Sequence, residues 1–181
     1  MQRVAIVGTT GSGKSTLAGR LAPLIDAEQI ELDALFWTPG WRPVLPELFR
    51  QRVEAATSGE RWVIAGNYAQ VRDIVWGRAD TLVWLDFNLP LVLRRLALRT
   101  VKRVVTREEL WNTGNRESLR GALGRQSILR YAMRTHRSSR ARFAADAADR
   151  RYAHLTVHRI ENPRALDQWV DRLGNIILGK L

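Results

Sequence analysis

Eight residues near the N-terminus constrain this chain more than any others: Gly8-Thr9-Thr10-Gly11-Ser12-Gly13-Lys14-Ser15. The apolar run Val4-Ala5-Ile6-Val7 leads straight into them, and an Ala/Leu/Arg-rich segment suited to helix follows to about residue 24. Strand, glycine loop and helix in that order are the setting of the phosphate-binding pattern G-x-x-x-x-G-K-[ST], whose fixed positions are all filled. Glycines at 8, 11 and 13 admit backbone angles closed to other residues. They let main-chain N–H groups from about Gly11 through Ser12 and Gly13 to Thr16 approach an anion with no Cβ in the way. The loop ends at a helix N-terminus, where unpaired donors and the helix dipole favour negative charge. Lys14 then reaches the β- and γ-phosphates of a nucleotide, the Ser15 hydroxyl coordinates Mg²⁺, and Thr16 touches the α-phosphate. ATP and Mg²⁺ are the expected ligands.

The rest of the composition narrows the class. A chain of 181 residues, 45% hydrophobic, is read as one domain that buries a core without staples. With no cysteine there is neither a disulfide nor a thiolate metal site, and the three histidines, at 136, 154 and 158, have no metal-ligand grouping. No apolar run approaches the roughly 20 residues of a membrane span, so the expectation is a soluble cytoplasmic protein with no membrane partner. The net charge of +11 is concentrated: residues 94–142 carry fourteen basic side chains against Glu108, Glu109 and Glu117, while the remaining chain balances. A single basic segment beside a phosphate loop suggests something that closes over phosphates.

Further along, residues 28–33 read as a second strand ending in Glu31 and Asp33, where the ligand of a parallel sheet would sit. A carboxylate there could accept the proton of an attacking hydroxyl or hold Mg²⁺ through water; Asp33 could instead be a helix cap or a solvated loop acid. Residues 34–43 are aromatic and proline-stiffened, with Trp37 and Trp41 either walling a pocket or covering a small subdomain core, and a helix follows from about residue 46. Arg42 and Arg50 are possible anion contacts. A third strand at 61–65 runs into Gly66-Asn67-Tyr68 and a short helix carrying Arg72. Gly66 would permit close approach of a ligand, and Asn67 offers both donor and acceptor, although a plain turn explains both. The fourth strand, 80–86, ends in Asp86, a second candidate for Mg²⁺ or a helix cap. The next helix, from about residue 90 to 102, lines up Arg95, Arg99 and Arg103 on one stripe, either a transition-state clamp or a solvated face. Residues 106–117 read as a mobile loop or lid, helix resumes near Ser127, and a fifth strand at 155–160 precedes the turn Asn162-Pro163-Arg164 and a last helix with Leu166, Trp169, Val170 and Leu173 as core. Five apolar strands alternating with helices imply a three-layer α/β sandwich on a parallel sheet.

The chain resembles the nucleoside-monophosphate-kinase branch of the P-loop NTPases, and most closely the small bacterial adenylate-kinase-like group often labelled "DNA topology modulation protein". The likeness rests on Gly8 to Ser15, Glu31-Leu32-Asp33-Ala34-Leu35-Phe36-Trp37, Gly66-Asn67-Tyr68, Leu110-Trp111-Asn112 with Asn115-Arg116-Glu117-Ser118, and Tyr152-Ala153-His154-Leu155. It implies a five-stranded sheet of order 2-3-1-4-5, ATP on the loop, an acceptor-binding insertion at about 33–58 and a basic lid at about 103–126. Arg95 and Arg99 match the R-x-x-x-R at the start of the adenylate-kinase lid, and Asn162 and Arg164 lie where such kinases pack adenine. Glu31-x-Asp33 is similar to the D-x-D of shikimate kinases, in which the carboxylates serve metal and substrate hydroxyl. One departure is clear: where adenylate kinases carry D-G-F-P-R after strand 3, this chain has Ala65-Gly66-Asn67-Tyr68-Ala69, and the arginine is absent or displaced to Arg72.

Two functions follow as expectations. In the first, a small-molecule kinase acting as a monomer or weak dimer, the acceptor lies near Asp33, Trp37, Gly66, Asn67 and Arg72, and Arg95, Arg99 and Arg116 close over the transferred group, with Arg120 and Arg125 as further lid cations. In the second, an ATP-dependent nucleic-acid-associated protein, residues 94–142 form a phosphate-binding face.

Overall fold

The computed structural model describes residues 1–111, 113–116, 127–177 and 179. β1 (Arg3–Gly8) sits at the centre of the sheet because its side chains suit burial on both faces: Val4, Ala5, Ile6 and Val7 are all at most 3% exposed. With β2 (Glu28–Glu31), β3 (Trp62–Ala65), β4 (Thr81–Leu85) and β5 (Thr156–Ile160) it forms a five-stranded sheet ordered β2-β3-β1-β4-β5, parallel throughout. This is the expected α/β class and the expected strand order.

Seven helices flank the sheet among the described residues: α1 (Lys14–Leu24), α2 (Leu32–Phe36), α3 (Pro46–Ala56), α4 (Arg72–Arg78), α5 (Leu89–Thr106), α6 (Ile128–Ala147) and α7 (Pro163–Ile177). The two-residue period of β1 divides them into layers. Val4 and Ile6 pack with Leu17 and Leu21 of α1, Val92 of α5, and Leu166 and Val170 of α7. Ala5 and Val7 pack with Phe49 and Val53 of α3, Ile74 and Val75 of α4, and Phe143 of α6. Trp169 and Leu173 pack against the first cluster, as the helical spacing requires.

Local structure departs from the sequence reading in four places. The second strand stops at Glu31, and Asp33 lies in the first turn of α2 rather than at a strand end. Glu31 occupies the cap position without capping, since its carboxylate accepts hydrogen bonds from Ser15 and Gln29. Helix α5 begins one residue earlier and ends four later than expected; Asn88 caps it, accepting from the Leu91 amide at 3.1 Å. Packing alone already requires glycine at 66, because a Cβ there would lie 2.6 Å from Leu32 Cβ. Finally, both inserted segments carry a two-residue hairpin, Trp37–Thr38 with Arg42–Pro43 and Glu109–Leu110 with Asn115–Arg116. Ladders this short leave no alternation to read. Asn112, Glu117, Ser118, Arg120 and Arg125 lie outside the described residues, as does the rest of 117–126, where the lid is expected.

Asp86 is neither a helix cap nor a residue of the large cleft described below. Its side chain has no exposed surface and is held by Arg140 of α6 and Arg159 of β5, whose guanidinium groups donate to both carboxylate oxygens, Arg140 Nη2 at 2.9 Å and Arg159 Nη2 at 2.6 Å. Burial raises the Asp86 pKa, but the hydrogen bonds from Arg140 and Arg159 outweigh it and hold the carboxyl below its ordinary value. The stabilisation is therefore present above the ordinary carboxylate range and is lost as pH falls through it. Both arginines are partly exposed and can turn to water, so Asp86→Ala should cost about 2 kcal/mol, less than the roughly 3–5 kcal/mol of breaking a fully buried pair. Urea denaturation at neutral pH measures this, and the deficit should shrink toward pH 3.

Candidate active site

The loop between β1 and α1 is a cradle of main-chain donors. Gly13 stands at the cap position of α1 with φ of 98°, a left-handed conformation that glycine adopts without penalty. No side chain caps the helix and no acidic residue lies in its first turn. The first-turn N–H groups of α1 are consequently left for an anion. The hydroxyls of Thr9 and Ser12, buried in the same loop, have no hydrogen-bond partner. Lys14 folds back across the loop, Nζ donating to the carbonyls of Gly8 at 3.0 Å and Thr9 at 3.3 Å. These features fit a bound polyphosphate.

Neighbouring elements hold the loop in place. Asn67, just past β3, grips Gly8 from both sides: its Oδ1 accepts from the Gly8 amide at 3.3 Å and its Nδ2 donates to the Gly8 carbonyl. Arg95 of α5 donates from Nη1 to the Ser12 carbonyl at 2.8 Å, with its guanidinium 4.9 Å over the Phe87 ring. Gly11 lies against α5, where a Cβ would come within 3.2 Å of Leu96 Cβ.

A cleft of about 1260 Å³ opens from this loop. It exceeds the roughly 300–1,000 Å³ of a one-ligand site, which leaves room for a nucleotide and a second molecule. Its walls carry Lys14, Ser15 and Thr16 from α1, and Glu31 and Asp33 from the β2–α2 junction. Arg95, Arg99 and Arg103 face it from one stripe of α5, and Arg116 joins them from the hairpin beyond. Trp37, Gly66, Asn67 and Tyr68 line the same space.

The two carboxylates have different partners. Glu31 Oε2 accepts from the Ser15 hydroxyl at 2.8 Å, and burial raises the Glu31 pKa above its ordinary value, with the Ser15 and Gln29 hydrogen bonds opposing. An adjacent serine hydroxyl and carboxylate oxygen suit Mg²⁺, which takes one or two protein oxygens plus substrate phosphates rather than a full protein cage. Among the described residues no cluster of three or more His, Asp or Glu side chains forms such a cage. Asp33 Oδ1 instead accepts from the Tyr68 hydroxyl at 2.5 Å, and Tyr68 is fixed in turn by ring contacts with Phe36 and Phe49. Desolvation, and then the charge and hydrogen bond of Asp33, push the Tyr68 pKa up, so it stays a donor.

Several sequence candidates have other partners. Arg72 is absent from the cleft wall; it pairs with Asp146 of α6 at 2.7 Å and stacks on Trp76. Arg50 forms a two-pronged pair with Asp73 at 2.9 and 2.7 Å. Asn162 caps α7 by accepting from the Ala165 amide at 2.9 Å, and the cleft wall there is Pro163 and Leu166, not Arg164. Residues that the sequence left without a role include Tyr68 as the partner of Asp33, and Asn115, which joins the two hairpins. The pairing of Glu31 with Ala65 across β2 and β3 sets the ends of those strands side by side and so brings Asp33 to Tyr68.

Burial lowers the Lys14 pKa to about 8; Asp33 opposes this, Arg99 deepens it and Glu31 opposes it. In the free protein the ammonium is charged below that value and neutral above it, whereas a bound anion keeps it charged. Triphosphate binding near pH 8 should therefore take up about half a proton, with affinity falling as pH rises through 8. Calorimetry in buffers of different ionisation enthalpy measures the uptake, and Lys14→Met should remove it.

No family model and no curated protein matches the sequence. Solved structures do match in fold. A gluconokinase from Sinorhizobium meliloti superposes with a TM-score of 0.51 at 16% identity, over 99% of this chain and 97% of the other. A shikimate kinase from Bacteroides thetaiotaomicron gives 0.54 at 17%, over 97% and 98%. A shikimate kinase from Acinetobacter baumannii, in complex with shikimate, gives 0.51 at 20%, over 99% and 94%. At these identities the likeness establishes the architecture alone: the parallel sheet with its flanking helices is shared over 97–99% of this chain.

Proposed function

We propose that this protein is a phosphotransferase that moves the γ-phosphoryl group of Mg·ATP to a hydroxylated small molecule. The observation that carries this reading is one cleft with three chemically distinct walls. The phosphate cradle with Lys14 forms one, the Glu31/Asp33 carboxylates the second, and the Arg95, Arg99 and Arg103 stripe with Arg116 the third. The fold neighbours, named as gluconokinase, shikimate kinase and sugar kinase, support a small acceptor.

In this reading Gly8, Gly11, Ser12, Gly13 and Thr16 hold the phosphates, and Pro163 with Leu166 borders the base. Mg²⁺, when bound, neutralises charge on the phosphate oxygens, with Ser15 and Glu31 as its protein ligands in place of Asp33. Asp33, oriented by Tyr68, takes the proton of the acceptor hydroxyl as its oxygen bonds to the γ-phosphorus. The bond from that phosphorus to the β,γ-bridging oxygen breaks, and ADP leaves. Lys14, Arg95, Arg99 and Arg116 stabilise charge on the transferring oxygens. Residues 33–58 serve as the acceptor-binding insertion, and the basic segment from 103 supplies the closing side. Asn67 and Gly66 shape the site through Gly8 and Leu32, so their part is positional.

Exposed Arg130, Arg134 and Arg137 on α6 support the alternative, an ATP-dependent nucleic-acid-associated protein of the DNA topology modulation type. That reading requires duplex or single-stranded DNA to bind at low salt, and its absence there excludes it.

ADP release from Mg·ATP across a panel of nucleosides, nucleotides and hydroxylated metabolites tests the kinase reading. One acceptor should stimulate release, Lys14→Ala should abolish it, and Asp33→Asn should lower kcat by about 10²–10⁴ while leaving ATP bound. Full transfer by Lys14→Ala would refute the assignment.

A further inference from the structure

The acceptor end of the cleft is lined by three indoles, Trp37, Trp41 and Trp111, drawn from two separate hairpins. Each stands nearly perpendicular to the next: Trp37 and Trp41 have centroids 5.8 Å apart at 75°, Trp41 and Trp111 5.9 Å apart at 87°. Perpendicular indoles make corners, which receive a flat ring against one wall and its rim against the other. A flexible polyol chain has no face to offer such walls.

Two further observations show that these rings are placed rather than incidental. Trp41 and Trp111 both have left-handed backbones, with φ of 57° and 55°. Bulky residues adopt that conformation at a cost, and it persists where surrounding contacts fix it. Asn115 supplies such contacts for Trp41. Almost fully buried, it accepts from the Trp41 amide at 3.0 Å and donates to the Thr38 carbonyl at 2.9 Å, joining the lid-side hairpin to the aromatic one. The indoles also connect to the reacting carboxylate through ring contacts, because Trp37 packs on Phe36, Phe36 packs on Tyr68, and Tyr68 donates to Asp33.

We infer that the acceptor is a hydroxylated ring compound, seated with its face against one of the Trp41 and Trp111 indoles and its rim against the other, with a hydroxyl directed at Asp33, and not an open-chain polyol or sugar acid. Asn115 is the positioning residue that holds the two walls together. This rests on the kinase reading for the reaction, but the recognition of a ring can be tested without it.

The test titrates indole fluorescence of the full chain, at saturating Mg·ADP, with ring compounds (shikimate, myo-inositol, adenosine, adenosine monophosphate) and open-chain counterparts (gluconate, ribitol). The same panel is then assayed for phosphoryl transfer from Mg·ATP. At least one ring compound should quench and be phosphorylated, and the open-chain compounds should do neither. Trp41→Ala and Trp111→Ala should each raise the acceptor's KM about tenfold or more, while Trp111→Phe stays within about threefold, the loss falling on the acceptor rather than on the nucleotide. Asn115→Asp, which keeps one acceptor oxygen for the Trp41 amide and loses the donor to Thr38, should fall between. Phosphorylation of an open-chain compound, unchanged KM in both alanine variants, or no binding by any ring compound overturns the inference. A ring compound that binds but is not phosphorylated counts against the kinase reading instead.

Discussion

The amide groups at the start of α1 have no partner within their own helix, and the surroundings keep them unpaired. Gly13 offers no capping side chain, the first turn has no acid, and Lys14 spans the carbonyls of Gly8 and Thr9 instead of covering the amides. The rest of the molecule braces this arrangement. β1 is buried on both faces, Asn67 fixes Gly8 from the β3 side, and Arg95 fixes Ser12 from the α5 side. A loop held at both ends binds an anion without first having to be ordered.

Charge is divided in a way that serves this loop. Asp86, at the end of β4, is neutralised by Arg140 and Arg159 on the side of α6 and β5, so the carboxylates of the cleft near the loop are Glu31 and Asp33. One touches the serine of the loop and the other touches a tyrosine, which separates a metal-binding role from a proton-accepting role by partner alone. Opposite them, three arginines one helical turn apart share a face of α5 because i, i+4 and i+8 coincide on a helix.

Much of this is written in local sequence. The phosphate loop, the parallel sheet and the arginine stripe all follow from patterns confined to a dozen residues or fewer, whereas the strand order rests on the family resemblance. What was not legible depends on which distant residues meet. Asp33 meets Tyr68 across 35 positions, and Asp86 meets Arg140 across 54 and Arg159 across 73. No periodicity reports such pairs. Arg72 and Asn162 look like ligand contacts in a linear reading, but in the folded chain the nearest opposite charge and the nearest open helix end claim them first. The indoles sit between these cases. Their presence in one loop was plain, but that Trp111 comes to stand beside Trp41 is set by Asn115 bridging two hairpins too short to be seen as strands.

The central claim is that this cleft transfers a phosphoryl group to a small acceptor rather than to water. Phosphorus-31 NMR of the protein with Mg·ATP and a mixture of hydroxylated compounds measures this directly. The account requires a new phosphomonoester resonance growing in step with loss of the γ-phosphate signal. Inorganic phosphate as the sole product besides ADP, at a rate indifferent to every compound added, would contradict it.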